Sequence, residues 1–104
     1  MDKEIITFSR SGNTLSARIS SEIDHHTAGR LRTRIDRELF IERPGILRLD
    51  FQDVRFMDSS GIALILRSQQ RMQLLDGSLT VCNVPSQARR VLDAAGIGRL
   101  VHIK

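Results

Sequence analysis

Short apolar runs take turns along this chain with apolar positions at helical spacing, and turn-forming residues separate them. Ile5-Ile6-Thr7-Phe8 and Leu15-Ser16-Ala17-Arg18-Ile19 flank the turn-prone Ser11-Gly12-Asn13-Thr14, which predicts an opening β-hairpin of two antiparallel strands. Ala28, Leu31, Ile35 and Leu39 then recur on one helical face. They predict a helix from about His25 or Thr27 to Phe40, with Asp24 as its cap. Pro44-Gly45 ends that stretch, and Ile46-Leu47-Arg48-Leu49 returns as a strand. A crossover helix between two strands implies parallel pairing.

Ile62, Ile65 and Leu66, with Met72 further along, predict a second helix running to about Leu75. Asp76-Gly77 turns the chain into a strand from Ser78 to Val84. Pro85, near the first position, opens a third helix carrying Ala88, Val91, Leu92 and Ala95, and Gly96 stands where a left-handed residue is wanted after a helix. Leu100, Val101 and Ile103 predict a last short strand. The order β-β-α-β-α-β-α-β specifies an α/β fold: a mixed, mostly parallel β-sheet with an N-terminal antiparallel hairpin and helices packed against it. No repeat, linker or low-complexity segment interrupts this order, so residues 1–104 read as one domain.

The bulk composition narrows the function classes. At 40% hydrophobic and 27% charged residues, the chain is ordinary for a soluble globular domain able to bury a core without metals or disulfides. A net charge of +4, with fourteen arginines among the 16 basic residues, raises nucleic acid as a partner. Two features argue against direct nucleic-acid binding. Arg30, Arg34 and Arg37 lie opposite the apolar stripe of Leu31, Ile35 and Leu39, interrupted by Asp36 and Glu38, as on a solvated helix face. Four phenylalanines with no Trp or Tyr also leave few aromatic surfaces for stacking on bases. The single Cys82 lies in the apolar run Leu79-Thr80-Val81-Cys82, as an inert core thiol in a reducing compartment would. Met1-Asp2-Lys3-Glu4 lacks the basic start of a secretory leader, and no apolar run approaches the roughly 20 residues that cross a bilayer. A cytoplasmic protein with no membrane contact is expected.

The candidate chemistry lies in Phe56-Met57-Asp58-Ser59-Ser60-Gly61, where a strand-like run gives way to the second helix. Asp58 or Ser59 is the natural N-cap, and a plain cap is the simplest account. The same free N–H groups and the positive end of the helix dipole would favour a phosphate on Ser59 or Ser60. A hydrolase nucleophile fits poorly, because the elbow needs glycine two residues before the serine, and His25, His26 and His102 have no evident orienting acid. A receiver-type phospho-aspartate at Asp58 needs carboxylates for Mg²⁺ near an earlier strand, and Ile5 to Ser11 offers none. The chain has no Gly-x-x-x-x-Gly-Lys loop, and adjacent histidines point to different sides of a helix start. No cofactor or metal is expected, and no enzymatic activity.

Three segments carry a family likeness: Ser21-Glu22-Ile23-Asp24-His25-His26-Thr27-Ala28, Phe56-Met57-Asp58-Ser59-Ser60-Gly61-Ile62, and Val81-Cys82-Asn83-Val84-Pro85 leading to Ala95-Gly96-Ile97. Together, in order and spacing over nearly the whole chain, they resemble the STAS-domain anti-sigma factor antagonists. The resemblance implies a single STAS domain with Ser59 as phosphoacceptor. It implies Asp24, His25, His26, Thr27, Met57, Asp58, Ser60, Gly61 and Ile62 as partner-binding residues, with Asp58, Ser60 and Gly61 shaping the acceptor loop. The implied partner is an anti-sigma factor with serine kinase activity, bound by the unphosphorylated form so that sigma factor is freed. A PPM-type serine phosphatase would reverse the modification. The resemblance also leaves open a regulatory or scaffold module that acts on a general-stress or other partner without modification of Ser59.

Overall fold

Ser11 and Thr14 pair directly across a two-residue turn, Gly12-Asn13, with φ of 59° at Gly12. A glycine at the first central position suits the right-handed twist of the strands it joins. This closes the antiparallel pair β1 (Ile6–Ser11) and β2 (Thr14–Ile19). The computed structural model describes residues 4–104; Met1 to Lys3, which form most of the segment read above as lacking a leader, lie outside the described residues.

From β2 to β4 each strand is followed by a crossover to the next: α1 (His25–Glu42) leads to β3 (Ile46–Asp50), α2 (Ser59–Leu74) to β4 (Ser78–Cys82), and α3 (Ser86–Ala94) with a 3₁₀ turn (Ile97–Arg99) to β5 (His102–Ile103). The sheet order is β1-β2-β3-β4-β5, antiparallel between β1 and β2 and parallel elsewhere. Right-handed crossovers that step along a sheet in one direction place all their helices on the same face. The strand periodicity agrees: Leu15, Ala17, Ile19, Leu47, Leu49, Leu79 and Val81 are buried toward the helices. Thr7, Ser9, Ser16, Arg18 and Arg48, at the alternate positions, are exposed or half-buried on the other face.

The helices meet that core through Leu31, Ile35 and Leu39 of α1, Leu64, Ile65 and Met72 of α2, and Ala88 and Leu92 of α3. Each fully buried aliphatic side chain contributes about 1.5–3 kcal/mol. Asp36 also bridges α1 to α2 through Arg67 (2.9 Å) and Arg71 (3.5 Å), but these partly exposed pairs are worth only about 0.2–1 kcal/mol each. The apolar seam therefore sets the helix packing.

Several boundaries differ from the sequence reading. α1 continues past Phe40 to Glu42, and Arg43 ends it as a left-handed cap (φ 44°) whose amide donates to the Leu39 carbonyl, with Pro44 disfavouring a right-handed helical residue before it. Ala28 is only half-buried, whereas Leu64 joins the core. β4 stops at Cys82, since Asn83 adopts a φ of 56° and donates to Asp50 Oδ1 (3.1 Å). Pro85 is the N-cap of α3 rather than its first residue. Gly96, left-handed as expected, leads into the 3₁₀ turn, so Leu100 is exposed outside any strand and only His102–Ile103 pair with β4.

Candidate functional site

Parallel strands deliver their following loops to one end of the sheet, and here the loops after β2 and β3 are joined by main-chain bonds. The Ile23 amide donates to the Phe56 carbonyl (3.0 Å) and the Asp58 amide donates to the Ile23 carbonyl (3.1 Å), forming a parallel bridge between Ile23 and Met57. Both side chains are wholly buried beneath it. The starts of α1 and α2 are consequently held side by side.

Each start is capped by an aspartate. Asp24 Oδ1 accepts from the amides of His26 (2.9 Å) and Thr27 (3.0 Å), while the Asp24 amide donates to Thr27 Oγ1 (3.1 Å), closing a capping box. The Thr27 hydroxyl donates to the Glu22 carbonyl (2.7 Å), which ties the cap to the preceding loop. The Thr27 amide foremost, then that of His26, holds the Asp24 carboxyl below its ordinary pKa. At α2, Asp58 is the cap, accepting from the Ser60 amide through Oδ1 (2.8 Å). Of the two candidate caps in the sequence, Asp58 takes the position and Ser59 becomes the first helical residue, exposed to solvent.

The remaining predicted site residues divide by burial. Met57 has no exposed surface and Gly61 is buried, so their side of the site is packing beneath the loop rather than surface. A Cβ on Gly61 would stand 2.3 Å from Met57 Cγ and Sδ, which only glycine avoids without moving Met57. His25 and His26 are both exposed, their rings 5.7 Å apart and edge to face. His25 and Ser60 line a groove of about 310 Å³ between α1 and α2, together with the small residues Ala28, Gly29 and Ala63 and the cations Arg32 and Arg67. Ile62 is partly buried and lines a second groove on the α3 side. The first turn of α2 is thus a ridge between two depressions.

Two residues outside the predicted set belong to this end. Phe56, quoted in the motif, is 42% exposed beside the loop. Gln87 in α3 grips the Met57 backbone: its Oε1 accepts from the Met57 amide (2.8 Å) and its Nε2 donates to the Met57 carbonyl (2.9 Å). The one local signal for Gln87 is its position four residues before Val91, at the edge of the apolar stripe of α3. Cys82 lies elsewhere in the sheet, and burial pushes its thiol up, away from reactive thiolate.

A serine hydroxyl at the first position of a helix is reachable from solvent and sits at the positive end of the macrodipole, a setting that accommodates a phosphate. Fold and site together define the class: a one-sided α/β domain that offers an exposed serine at the mouth of its second helix. Residues 6–104 match the family model described as STAS domain, and the chain belongs to that family. It is 32% identical over 89 residues to the anti-sigma F factor antagonist of Paenibacillus polymyxa, covering 86% of this chain and 76% of the relative. It is 28% identical over 91 residues to the anti-sigma-B factor antagonist of Bacillus subtilis strain 168, covering 88% and 82%. The anti-sigma factor antagonist SpoIIAA in its unphosphorylated form superposes with a TM-score of 0.81 at 24% identity, over 95% of this chain and 87% of that one. The Bacillus cell fate determinant SpoIIAA in the phosphorylated form gives 0.71 at 24% identity, over 95% and 90%.

Proposed function

We infer that this protein is an anti-sigma factor antagonist controlled by phosphorylation of Ser59. The observation that carries the reading is the exposed Ser59 at the start of α2, on a loop bridged to the Asp24–Thr27 cap, in a chain similar to anti-sigma factor antagonists. Unphosphorylated, it binds an anti-sigma factor that is also a serine kinase, and sigma factor is released. Asp24, His25, His26, Thr27, Asp58, Ser60 and Ile62 contribute the docking surface, with Met57 and Gly61 supporting it from below. A phosphate on Ser59 adds about −1.5 to −2 charges next to Asp58. The helix start tolerates that charge in the free protein; a docked surface does not, because the dianion is desolvated beside a carboxylate. Each 1.4 kcal/mol of such opposition costs about tenfold in affinity. A PPM-type serine phosphatase restores the binding form.

The test is phosphorylation by the anti-sigma kinase encoded in the same host, with Mg-ATP, followed by site mapping by mass spectrometry. Phosphate is expected on Ser59, and Ser59→Ala is expected to stay unlabelled and to bind the kinase in the presence of ATP. Ser59→Asp should bind at least about tenfold more weakly than Ser59→Ala. Label that persists in Ser59→Ala, or equal binding by the two variants, would overturn the switch and leave a scaffold role in which Ser59 is not modified.

A further inference from the structure

The peptide groups that precede Ser59 are anchored from two directions. On one side the anchor is main chain, through the bonds of Ile23 to Phe56 and Asp58. On the other it is a single side chain, the carboxamide of Gln87, which satisfies both the amide and the carbonyl of Met57. A carboxamide has one strong acceptor and one donor edge, so two bonds to one residue fix the peptide planes before and after it. Asp58 follows immediately, and its carboxylate caps the helix that begins with Ser59. Gln87 is half-buried and reaches Met57 from thirty positions away in sequence, so the contact couples α3 to the start of α2.

We propose that Gln87 is a positioning residue: it holds the Met57 peptide in the orientation that presents the Ser59 hydroxyl, and so makes α3 a support of the acceptor loop. The proposal rests on the reading of Ser59 as phosphoacceptor for its consequence, whereas the ordering of the loop is measurable without it. Three substitutions separate positioning from bulk. Gln87→Ala removes both bonds, and Gln87→Asn is one methylene too short to make them. Gln87→Glu divides them, since an ionised carboxylate accepts from the Met57 amide but turns its second oxygen against the Met57 carbonyl. A protonated carboxyl both donates and accepts, as the carboxamide does. Of the charged groups around position 87, Arg90 lines the same groove and favours the ionised form, while Asp58, the residue after the Met57 backbone that Gln87 grips, favours the protonated one.

The experiment follows amide hydrogen exchange at Met57, Ser59 and Ser60, and the kcat/KM of Ser59 phosphorylation by the anti-sigma kinase. Both are normalised to wild type at each pH from about 4 to about 8. In Gln87→Ala and Gln87→Asn, Met57 protection and kcat/KM should each fall about tenfold, the size expected from losing a pair of hydrogen bonds. Leu31 in α1 should lose no more protection than the change in global stability accounts for. Gln87→Glu should fall between the alanine variant and wild type at neutral pH, since it keeps the bond to the Met57 amide and loses the one to the Met57 carbonyl, and should recover toward wild type on acidification, a recovery that Gln87→Ala lacks. Unchanged Met57 protection in Gln87→Ala, unchanged phosphorylation, or no acid recovery in Gln87→Glu would overturn the proposal. A wild-type protein that takes no phosphate while the exchange pattern holds would instead refute the phosphoswitch and support the positioning of the loop.

Discussion

Ser59 is exposed and Met57, two residues earlier, is completely buried; that contrast sets what each substitution near the loop does. Gly61→Ala introduces a methyl against Met57 and should cost about 1–3 kcal/mol, outweighing the roughly 1 kcal/mol by which alanine is the better helix former. Met57→Ala alone should cost about 2–5 kcal/mol, and the double variant less than the sum, with a coupling of about 0.5–3 kcal/mol in urea denaturation. The Asp24 cap makes a prediction in pH. Its folded pKa is below the unfolded value near 3.9, so its contribution is complete above about pH 5, begins to fall as pH drops through the unfolded value, and is lost as pH falls through the lowered folded value. The melting-temperature gap between wild type and Asp24→Ala should stay constant from neutrality to about pH 5, then narrow steadily under stronger acid. Asp24 was legible in the sequence because a cap is a local contact. The burial of Met57 was not, because it depends on Ile23 from another crossover, and Gln87 owes its role to α3 packing beside α2.

Among the elements, the helices were readable as periodic stripes, and their ends were harder because ends answer to neighbours. α1 overruns Phe40 until Pro44 stops it, leaving Phe40 and Ile41 exposed on its last turn. The final strand shrinks because the 3₁₀ turn after Gly96 takes Leu100 out of the sheet: the Leu100 and Val101 amides both donate to the Ile97 carbonyl. Arg43 makes the clearest prediction at this level. An L-residue held left-handed is strained by about 1–2 kcal/mol, and glycine is not, although glycine gives back part of this in unfolded-chain entropy. Arg43→Gly should therefore raise stability by up to about 1 kcal/mol and the melting temperature by about 4 °C. Partner binding should be unchanged, since Arg43 ends α1 while the Ser59 loop lies beside the start of that helix.

Across the whole molecule, one core joins all three helices to the sheet, so unfolding should be a single transition. Leu49→Ala, at the centre of that core, should cost about 2–5 kcal/mol out of a total of about 5–15. Far-UV circular dichroism and the Ser59 amide signal should then lose intensity at the same urea midpoint; a Ser59 signal lost earlier would show the site unfolding independently. The order of elements and the mixed sheet were legible because hydrophobic period and turn residues encode them. The one-sided layering follows from crossover handedness, a property of the chain backbone rather than of particular side chains.

The bridge between Ile23 and Met57 bears on how such a surface diversifies. Its bonds run through peptide atoms, so exposed side chains on either loop are replaceable while the spacing of the two helix mouths persists. Selection is free to retune whom the domain recognises by exchanging residues such as His26 or Phe56, with the scaffold that aims the serine inherited unaltered.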